Sequence, residues 1–189
     1  TDGAVGGDLS VRSINGNITQ NIALTVTGTT TLQTTTSNNI TLDNASNNFQ
    51  GAVGITTGNN VALVDAGAIV LGASTVSGTY GVTATSGGDI TDTGVLAITG
   101  ASTFTVAGGQ SITLDQSSTY SSTVTFVPSA GTIASVTIDD STAFDLQALT
   151  TTGNLTVTAG GDITDSDTLT IGGNLSATTD ANNGAISLG

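Results

Sequence analysis

The sequence predicts an all-β protein, a right-handed parallel β-helix (β-solenoid) of about 8–9 coils with roughly 20–24 residues in each coil. Three observations predict this fold. A long motif recurs along the chain, short apolar runs alternate with polar residues at a period of two, and the composition is that of strands and turns. The 189 residues include 39 Thr and 26 Gly but one Pro and no Met, Trp or Cys. Helix is therefore disfavoured, and disulfides are excluded.

The internal repeat indicates how the coils are counted. Its copies begin near residues 16, 88 and 161, and they open at Ile18, Ile90 and Ile163, with steps of 72 and 73 residues. Within the copies, Ile40, Ile112 and Ile186 follow these residues at steps of 22, 22 and 23. We interpret the shorter step as one coil. The long unit is then predicted to hold three coils of about 22, 21 and 29 residues, with an insertion between Val61 and Ile90 in the longest.

Along the chain, residues 1–13 are Gly-rich and weakly patterned, and regular alternation begins at Ile14. From there, apolar runs such as NITQ and ALTV indicate strands of four or five residues, separated by Gly, Asn, Asp or Ser. Pro128 lacks the N–H group that a strand ladder needs, so a protruding loop is predicted at Val127–Gly131. We expect a single elongated body over residues 1–189, and a two-domain chain divided at this loop is the alternative.

The charge balance narrows the classes of partner. Arg12 is the only basic residue, all fourteen acidic residues are Asp, and the net charge is −13. Nucleic acid and anionic membrane surfaces are disfavoured as partners, because both are bound through Lys and Arg. Membrane insertion is not expected either, since no apolar run approaches the length of a membrane span. The acids are Asp rather than Glu, which is typical of residues that stabilise turns.

Several longer phrases carry a resemblance to a known class of protein. They are GGDIT, ALTVTGTTTL, NITLDNASNNFQGAV, VALVDAGAIVLGASTVSG and GNLTVTAGGDIT. From about Ile14 onward the chain resembles the repetitive regions of large bacterial surface proteins of the filamentous-haemagglutinin type, which are secreted by two-partner or autotransporter routes. The resemblance implies an extracellular, cell-surface β-helical stalk whose ligand binding is often done elsewhere in the protein.

The Asp residues are the candidate metal ligands and catalytic groups. Weak calcium candidates are Asp89, Asp92, Asp162, Asp165 and Asp167, with Asp139, Asp140 and Asp145 forming a further cluster. Their spacing matches neither an EF-hand loop nor the calcium-binding repeat GGxGxDxUx, and solvated turns are the simpler interpretation. Cleavage of acidic polysaccharides requires a base and cations, whereas this chain has no Lys and no His. We therefore predict no catalytic residues and no cofactor.

Five N-glycosylation sequons are present, at Asn17, Asn39, Asn44, Asn154 and Asn174. Such sequons also arise by chance where Asn precedes an Ile-Thr or Leu-Thr strand, and the interpretation depends on whether the source organism glycosylates Asn.

Taken with the resemblance, the sequence predicts a non-catalytic structural segment, a stalk or fibre shaft, of a large extracellular repeat protein or adhesin. A self-assembling filament or sheath subunit is the first alternative and a carbohydrate-active β-helix enzyme the second. No cap is recognised where the pattern runs on to Ile186 and Leu188. Axial association, either with further repeats of the same chain or with other copies, is therefore expected, and a host ligand is not identified.

Overall fold

The computed structural model describes residues 3–180 and 184–189. Within these ranges every regular element is a β-strand and there is no helix. The strands in chain order are β1 Gly3–Val5, β2 Leu9–Arg12, β3 Ile18–Thr19, β4 Leu24–Val26, β5 Thr30–Gln33, β6 Ile40–Leu42, β7 Asn48–Phe49, β8 Val53–Gly58, β9 Val61–Asp65, β10 Ile69–Val76, β11 Tyr80–Ala84 and β12 Ile90–Asp92. They continue as β13 Leu96–Ile98, β14 Ser102–Val106, β15 Ile112–Tyr120, β16 Val124–Pro128, β17 Val136–Asp140, β18 Phe144–Leu146, β19 Leu149–Thr151, β20 Leu155–Ala159, β21 Ile163–Asp165, β22 Leu169–Ile171, β23 Leu175–Thr179 and β24 Ile186–Ser187.

These strands stack as a parallel β-solenoid of about nine coils, which confirms the predicted fold class. One wall, the long sheet, follows the order β2-β5-β8-β10-β12-β15-β17-β20-β23, with β13 beside β10 and β15. A second wall, the side sheet, runs from β3 through β6, β9, β11 and β14 to β16. Three shorter sheets complete the walls at the two ends: β1-β4-β7, β18-β21-β24 and β19-β22.

The interior is built from columns of apolar side chains, because the inward residue of each strand lies over the inward residue of the coil before. The predicted coil partners pair in register, as Ile18 with Ile40, Ile90 with Ile112 and Ile163 with Ile186. The first five of these six residues are buried. Ile186 was expected to point into the core as well but is 47% exposed, because no described coil covers its strand.

Each long repeat was predicted to span three coils, but it spans three coils and one further strand. Three coils on from Ile18 the side sheet reaches Tyr80, and Ile90 then opens the next strand, in the long sheet. Three coils on from Ile90 the chain reaches Leu155, and Ile163 again opens the next strand along. Each repeat therefore starts one wall further around the solenoid than the last. The 29-residue coil predicted to begin at Val61 is not present among the described strands, since the step from Val61 to its partner Tyr80 is only 19.

The loop predicted at Val127–Gly131 also begins later than expected. Val127 and Pro128 are the last residues of β16, and the exposed bend covers residues 129–131. Gly131 occupies this bend with φ of 70°, a left-handed conformation that glycine adopts without strain. The long sheet continues across the same region because β15 pairs with β17.

The register predicts opposite outcomes for two neighbouring substitutions. Ile90 is fully buried, whereas Thr91 is on the outer side of the same strand. We expect Ile90→Asp to lower the free energy of unfolding by about 4 kcal/mol, because it places a carboxyl in the apolar interior. The matched variant Thr91→Asp should change it by less than about 1 kcal/mol. Chemical denaturation of both variants measures the difference, and equal losses would contradict the assigned register.

Candidate functional site

The interior contains polar groups where the long sheet bends. Ladder registers shift between Leu71 and Ser74 in β10 and between Leu114 and Ser118 in β15. At these bends the serine hydroxyls replace strand partners: Ser74 Oγ accepts from Ile55 N at 3.1 Å and Ser118 Oγ accepts from Leu96 N at 2.9 Å. The bends therefore keep their backbone groups bonded inside the solenoid.

Two carboxyl groups beside these bends are only partly bonded. Asp92 and Asp140 each end a strand of the long sheet and are 6% and 1% exposed. Asp92 Oδ1 accepts from Asp115 N at 3.0 Å, and Asp140 Oδ1 accepts from Thr142 N at 2.9 Å. Among the described residues the Oδ2 atoms of both have no partner, and neither do the hydroxyls of Tyr80 and Tyr120. A buried polar atom without a hydrogen-bond partner is energetically costly.

Burial changes the acidity of this interior. It raises the pKa of Asp92 from its usual 3.8 to about 6, with backbone N–H groups of Asp115 and Gln116 acting in the opposite direction. Burial also raises the pKa of Asp65 and of Asp140, and it raises the pKa of the Tyr80 and Tyr120 hydroxyls. Burial therefore shifts the titration of these interior acids towards higher pH.

The outer wall opens where the side sheet ends. The strand β16 pairs with β14, and no described strand pairs with its other edge. A groove of about 530 Å³ lies between β16 and the next coil, lined by Phe126 and Pro128 on one side, by Leu149 and Thr150 on the other, and by Gly131, Thr132, Ala148, Thr168 and Thr170. A smaller groove of about 200 Å³ lies towards the start of β16, lined by Tyr120, Val124, Asp140, Phe144, Asp145, Gln147 and neighbouring small residues. We call the two together the β16 cleft.

Two carboxyl groups of contrasting character line the smaller groove. Asp140 is buried, and burial raises its pKa. Asp145 is exposed, and hydrogen bonds from Ser166 Oγ at 2.7 Å, Thr164 Oγ1 at 2.8 Å and Gln147 Nε2 at 2.6 Å lower its pKa. A carboxyl of raised pKa beside one of lowered pKa is an arrangement that acid–base catalysis uses.

The predicted calcium candidates are separated along the solenoid, and most bond backbone groups of the following coil. Asp89 accepts from Ser111 N at 2.7 Å, Asp162 from Ala185 N at 2.8 Å and Asp165 from Gly189 N at 3.1 Å. Asp167 accepts from its neighbour Thr168 N, and Asp92 is the interior group described above. Within residues 3–180 and 184–189 no three acidic side chains converge on a common metal position. The carboxylates are thus arranged as turn acceptors.

Four of the five sequon asparagines also accept backbone N–H groups. Asn17 accepts from Asn39 N at 2.8 Å, Asn39 from Asn60 N at 3.1 Å and Asn154 from Asn174 N at 2.9 Å. Asn44 accepts from Ser46 N within its own turn. Of the five, Asn17, Asn154 and Asn174 are exposed, and Asn39 and Asn44 are half-buried. The Asn-Ile-Thr and Asn-Leu-Thr phrases therefore have a structural role, in which the amide links one coil to the next.

A family model for repeats of unknown function (DUF5649) matches residues 1–56, 58–127 and 133–189. The chain belongs to this family. The second and third DUF5649 segments begin 75 residues apart, close to the 73-residue step between Ile90 and Ile163. No curated protein and no solved structure matches the chain.

The interruption of the DUF5649 pattern coincides with the β16 cleft. Residues 128–132 lie between the second and third matched segments, and Pro128, Gly131 and Thr132 line the larger groove. Insertions between repeat units commonly form the binding face of a repeat protein.

No helix in the described residues is long and apolar enough to cross a membrane.

The sequence groups Asp140 and Asp145 in one acidic cluster but does not indicate that their pKa values are shifted in opposite directions. A signal for Asp140 was present, because alternation from Val136 and Ile138 places it on the inward face of β17 and places Asp139 on the outer face. The local signal for the free edge of β16 was Pro128, because proline within a sheet is confined to edge strands and strand ends, but it was interpreted as part of a loop.

The buried carboxyls predict that the solenoid is more stable in mild acid. Asp92 has a folded pKa near 6, above its unfolded value of 3.8, so the folded state holds the proton more tightly. Its contribution is fully present below pH 3.8 and is lost as the pH rises through 6. We expect unfolding free energy to fall by about 2–3 kcal/mol between pH 4 and pH 7, with a smaller fall in Asp92→Asn.

Urea denaturation at a series of pH values measures this dependence. Asp89→Asn is the matched control, since Asp89 is an exposed turn acceptor, and it should retain the wild-type slope. A flat or rising wild-type profile across this range, or equal slopes in the two variants, would show that Asp92 is not buried as described.

Proposed function

We propose that the chain is a non-catalytic structural segment of a large extracellular surface protein, a rigid shaft that separates other parts of that protein. The observation that carries the proposal is the long sheet, which runs through about nine coils from Leu9 to Thr179. Each coil is joined to the next by backbone hydrogen bonds and by a continuous apolar column, so the body is stiff along its axis. Such a shape suits a spacer.

The surface composition supports the same proposal. Thr residues occupy outward positions along the strands, and they are good residues for an exposed strand face. A net charge of −13 with a single Arg keeps the side walls soluble and mutually repulsive. The resemblance of the repeat phrases to filamentous-haemagglutinin-type regions adds the extracellular, cell-surface location and the adhesin context. We assign the shaft no metal, cofactor, nucleic-acid partner or membrane insertion.

A self-assembling filament subunit is the first alternative, and the apolar ends of the described coils suit it as well as they suit the shaft. At one end an apolar groove of about 220 Å³ is lined by residues including Leu9, Val11 and Leu24. At the other, a groove of about 650 Å³ is lined by residues including Leu169, Leu175 and Leu188, of which Leu175 is 42% exposed. Both shaft and filament use the same contact, in which another coil covers the end of the core.

Axial association of the isolated chain tests this contact. We expect its mass in light scattering to increase with salt, because salt screens the repulsion between acidic walls while leaving the apolar ends intact. Leu175→Asp, in the last strand of the long sheet, should reduce association at every salt concentration. Thr103→Asp, on the exposed wall of β14, is the matched control and should associate like the wild type. Monomers under all conditions, or equal behaviour of the two variants, would contradict the axial contact.

A carbohydrate-active enzyme is the second alternative, favoured by the two carboxyl groups in the β16 cleft. Against it, Asp145 already accepts three hydrogen bonds, and the cleft residues include no basic side chain to hold a uronate. Asp139, the outward neighbour of Asp140, faces away from the core. The combination is therefore better explained as part of a binding surface or of the fold.

We predict no hydrolysis or elimination with pectin, polygalacturonate, alginate or chondroitin, measured as reducing ends and as unsaturated product. A working acid–base pair would instead give activity that falls at least about a hundredfold in Asp140→Asn or Asp145→Asn. Asp8→Asn, at an exposed turn in the first coil where Asp8 accepts from Thr29 N, controls for general effects of removing a carboxylate.

A further inference from the structure

The β16 cleft contains an unused row of backbone hydrogen-bonding groups. In the side sheet, the first inward residue of each strand donates its N–H to the following coil: Ile18 to Asn39 O, Ile40 to Asn60 O, Val61 to Thr79 O, Tyr80 to Ala101 O and Ser102 to Thr123 O, at 2.8–3.0 Å. Val124 is next in this column. In the part of the chain that the structure describes, no such bond continues from Val124.

The alternation of a parallel ladder identifies which groups of β16 are unused. Ser102 N donates to Thr123 O, and Ser129 N donates to Val106 O, so the groups of residues 123, 125 and 127 face β14. The N–H groups of Val124 and Phe126, with the carbonyls of both, face the cleft. Pro128 occupies the next position in this row, where a residue without an N–H loses nothing because no strand follows.

We propose that the β16 cleft binds an extended polypeptide segment of another protein, which adds to the free edge of β16 as a parallel strand. Main-chain bonds to Val124 and Phe126 hold the segment, and the larger groove accepts its side chains between Phe126 and Leu149. Pro128 limits the pairing to the first part of the strand, so the added strand is short.

The charges in the cleft specify one feature of this segment. Asp140 and Asp145 lie at the start of β16, and the cleft residues include no basic side chain. A parallel strand brings its N-terminal end to this position, so a Lys or Arg at the start of the segment complements the carboxylates. A second copy of this chain is a poor source, because its only basic residue is Arg12.

The test uses labelled synthetic peptides and fluorescence anisotropy with the intact 189-residue chain. The probe is the acetylated and amidated pentapeptide Lys-Thr-Val-Thr-Val. Two control peptides have the same sequence but carry N-methyl groups, one on the odd-numbered amides and the other on the even-numbered amides. Methylation removes these main-chain donors while the side chains stay the same. We expect saturable binding of the probe and binding weaker by about tenfold or more for one methylated form.

Variants of the chain test the same contacts from the other side. Val124→Pro removes an N–H that the sheet does not use, and Val124→Ala shortens the same side chain while keeping that N–H. Binding should fall by about tenfold or more in Val124→Pro and remain within about threefold in Val124→Ala. Circular dichroism and thermal melting establish that both fold, and the methylated peptides provide a test that does not depend on them.

The charge contact has its own comparison. Asp145→Asn should weaken binding of the Lys peptide about threefold to tenfold, with a larger effect at low salt. Binding of a peptide with Thr in place of Lys should be unaffected. The proposal is overturned by absent saturation, by equal binding of probe and methylated forms, or by wild-type binding in folded Val124→Pro. Binding of uronate oligosaccharides that displaces the peptide would also overturn it, since the cleft would then be a carbohydrate site. None of these results bears on the axial contact of the shaft, which involves the ends of the solenoid.

Discussion

The backbone hydrogen bonds from each coil to the next are the interaction on which the structure depends. In the side sheet they form an unbroken column from Ile18 to Thr123, and in the long sheet they continue through β23. They fix the height of each coil, which in turn brings like side chains into register in the core. Asn and Asp side chains extend the same linkage around the corners, as Asn17 and Asn39 do by accepting N–H groups one coil further on.

This dependence explains why the fold was predictable from the sequence and the coil count of the repeat was not. Period-two alternation and the 22-residue spacing report strand formation and coil length directly, and the pairs opened by Ile18 and Ile90 have the predicted partners. The long repeat reports only that similar strands recur. Each wall of the solenoid accepts a strand that begins with Ile-Thr, so a repeated sequence can begin on successive walls without a change in the residues.

Some features of the candidate site are likewise predictable from the local sequence, whereas others depend on contacts between coils. Alternation alone places Asp92 and Asp140 on the inward face of their strands, because each follows a buried residue by two positions. The opposing acidity of Asp140 and Asp145 could not be predicted, since it arises from Ser166 and Thr164 in the next coil. The free edge of β16 is likewise a property of two coils whose strands do not align.

Asn47 shows that the interior can satisfy a buried polar group completely, because Leu24 N, Leu42 O, Val64 O and the Gln20 amide all bond it.

The two walls differ in continuity, and this difference allows the two proposed roles, axial support and peptide binding, to be carried by different sheets. A spacer needs one continuous ladder along its axis, and the long sheet supplies it past the point where the side sheet ends at β16. The side sheet can therefore be interrupted without dividing the body, and the interruption leaves donors and acceptors that face outward. Residues 128–132, which lie outside the DUF5649 matches, are located at this point and line the cleft. An added strand there would extend a wall locally while the long sheet remained continuous along the axis, so the proposed binding at the cleft and the proposed spacer role would not compete.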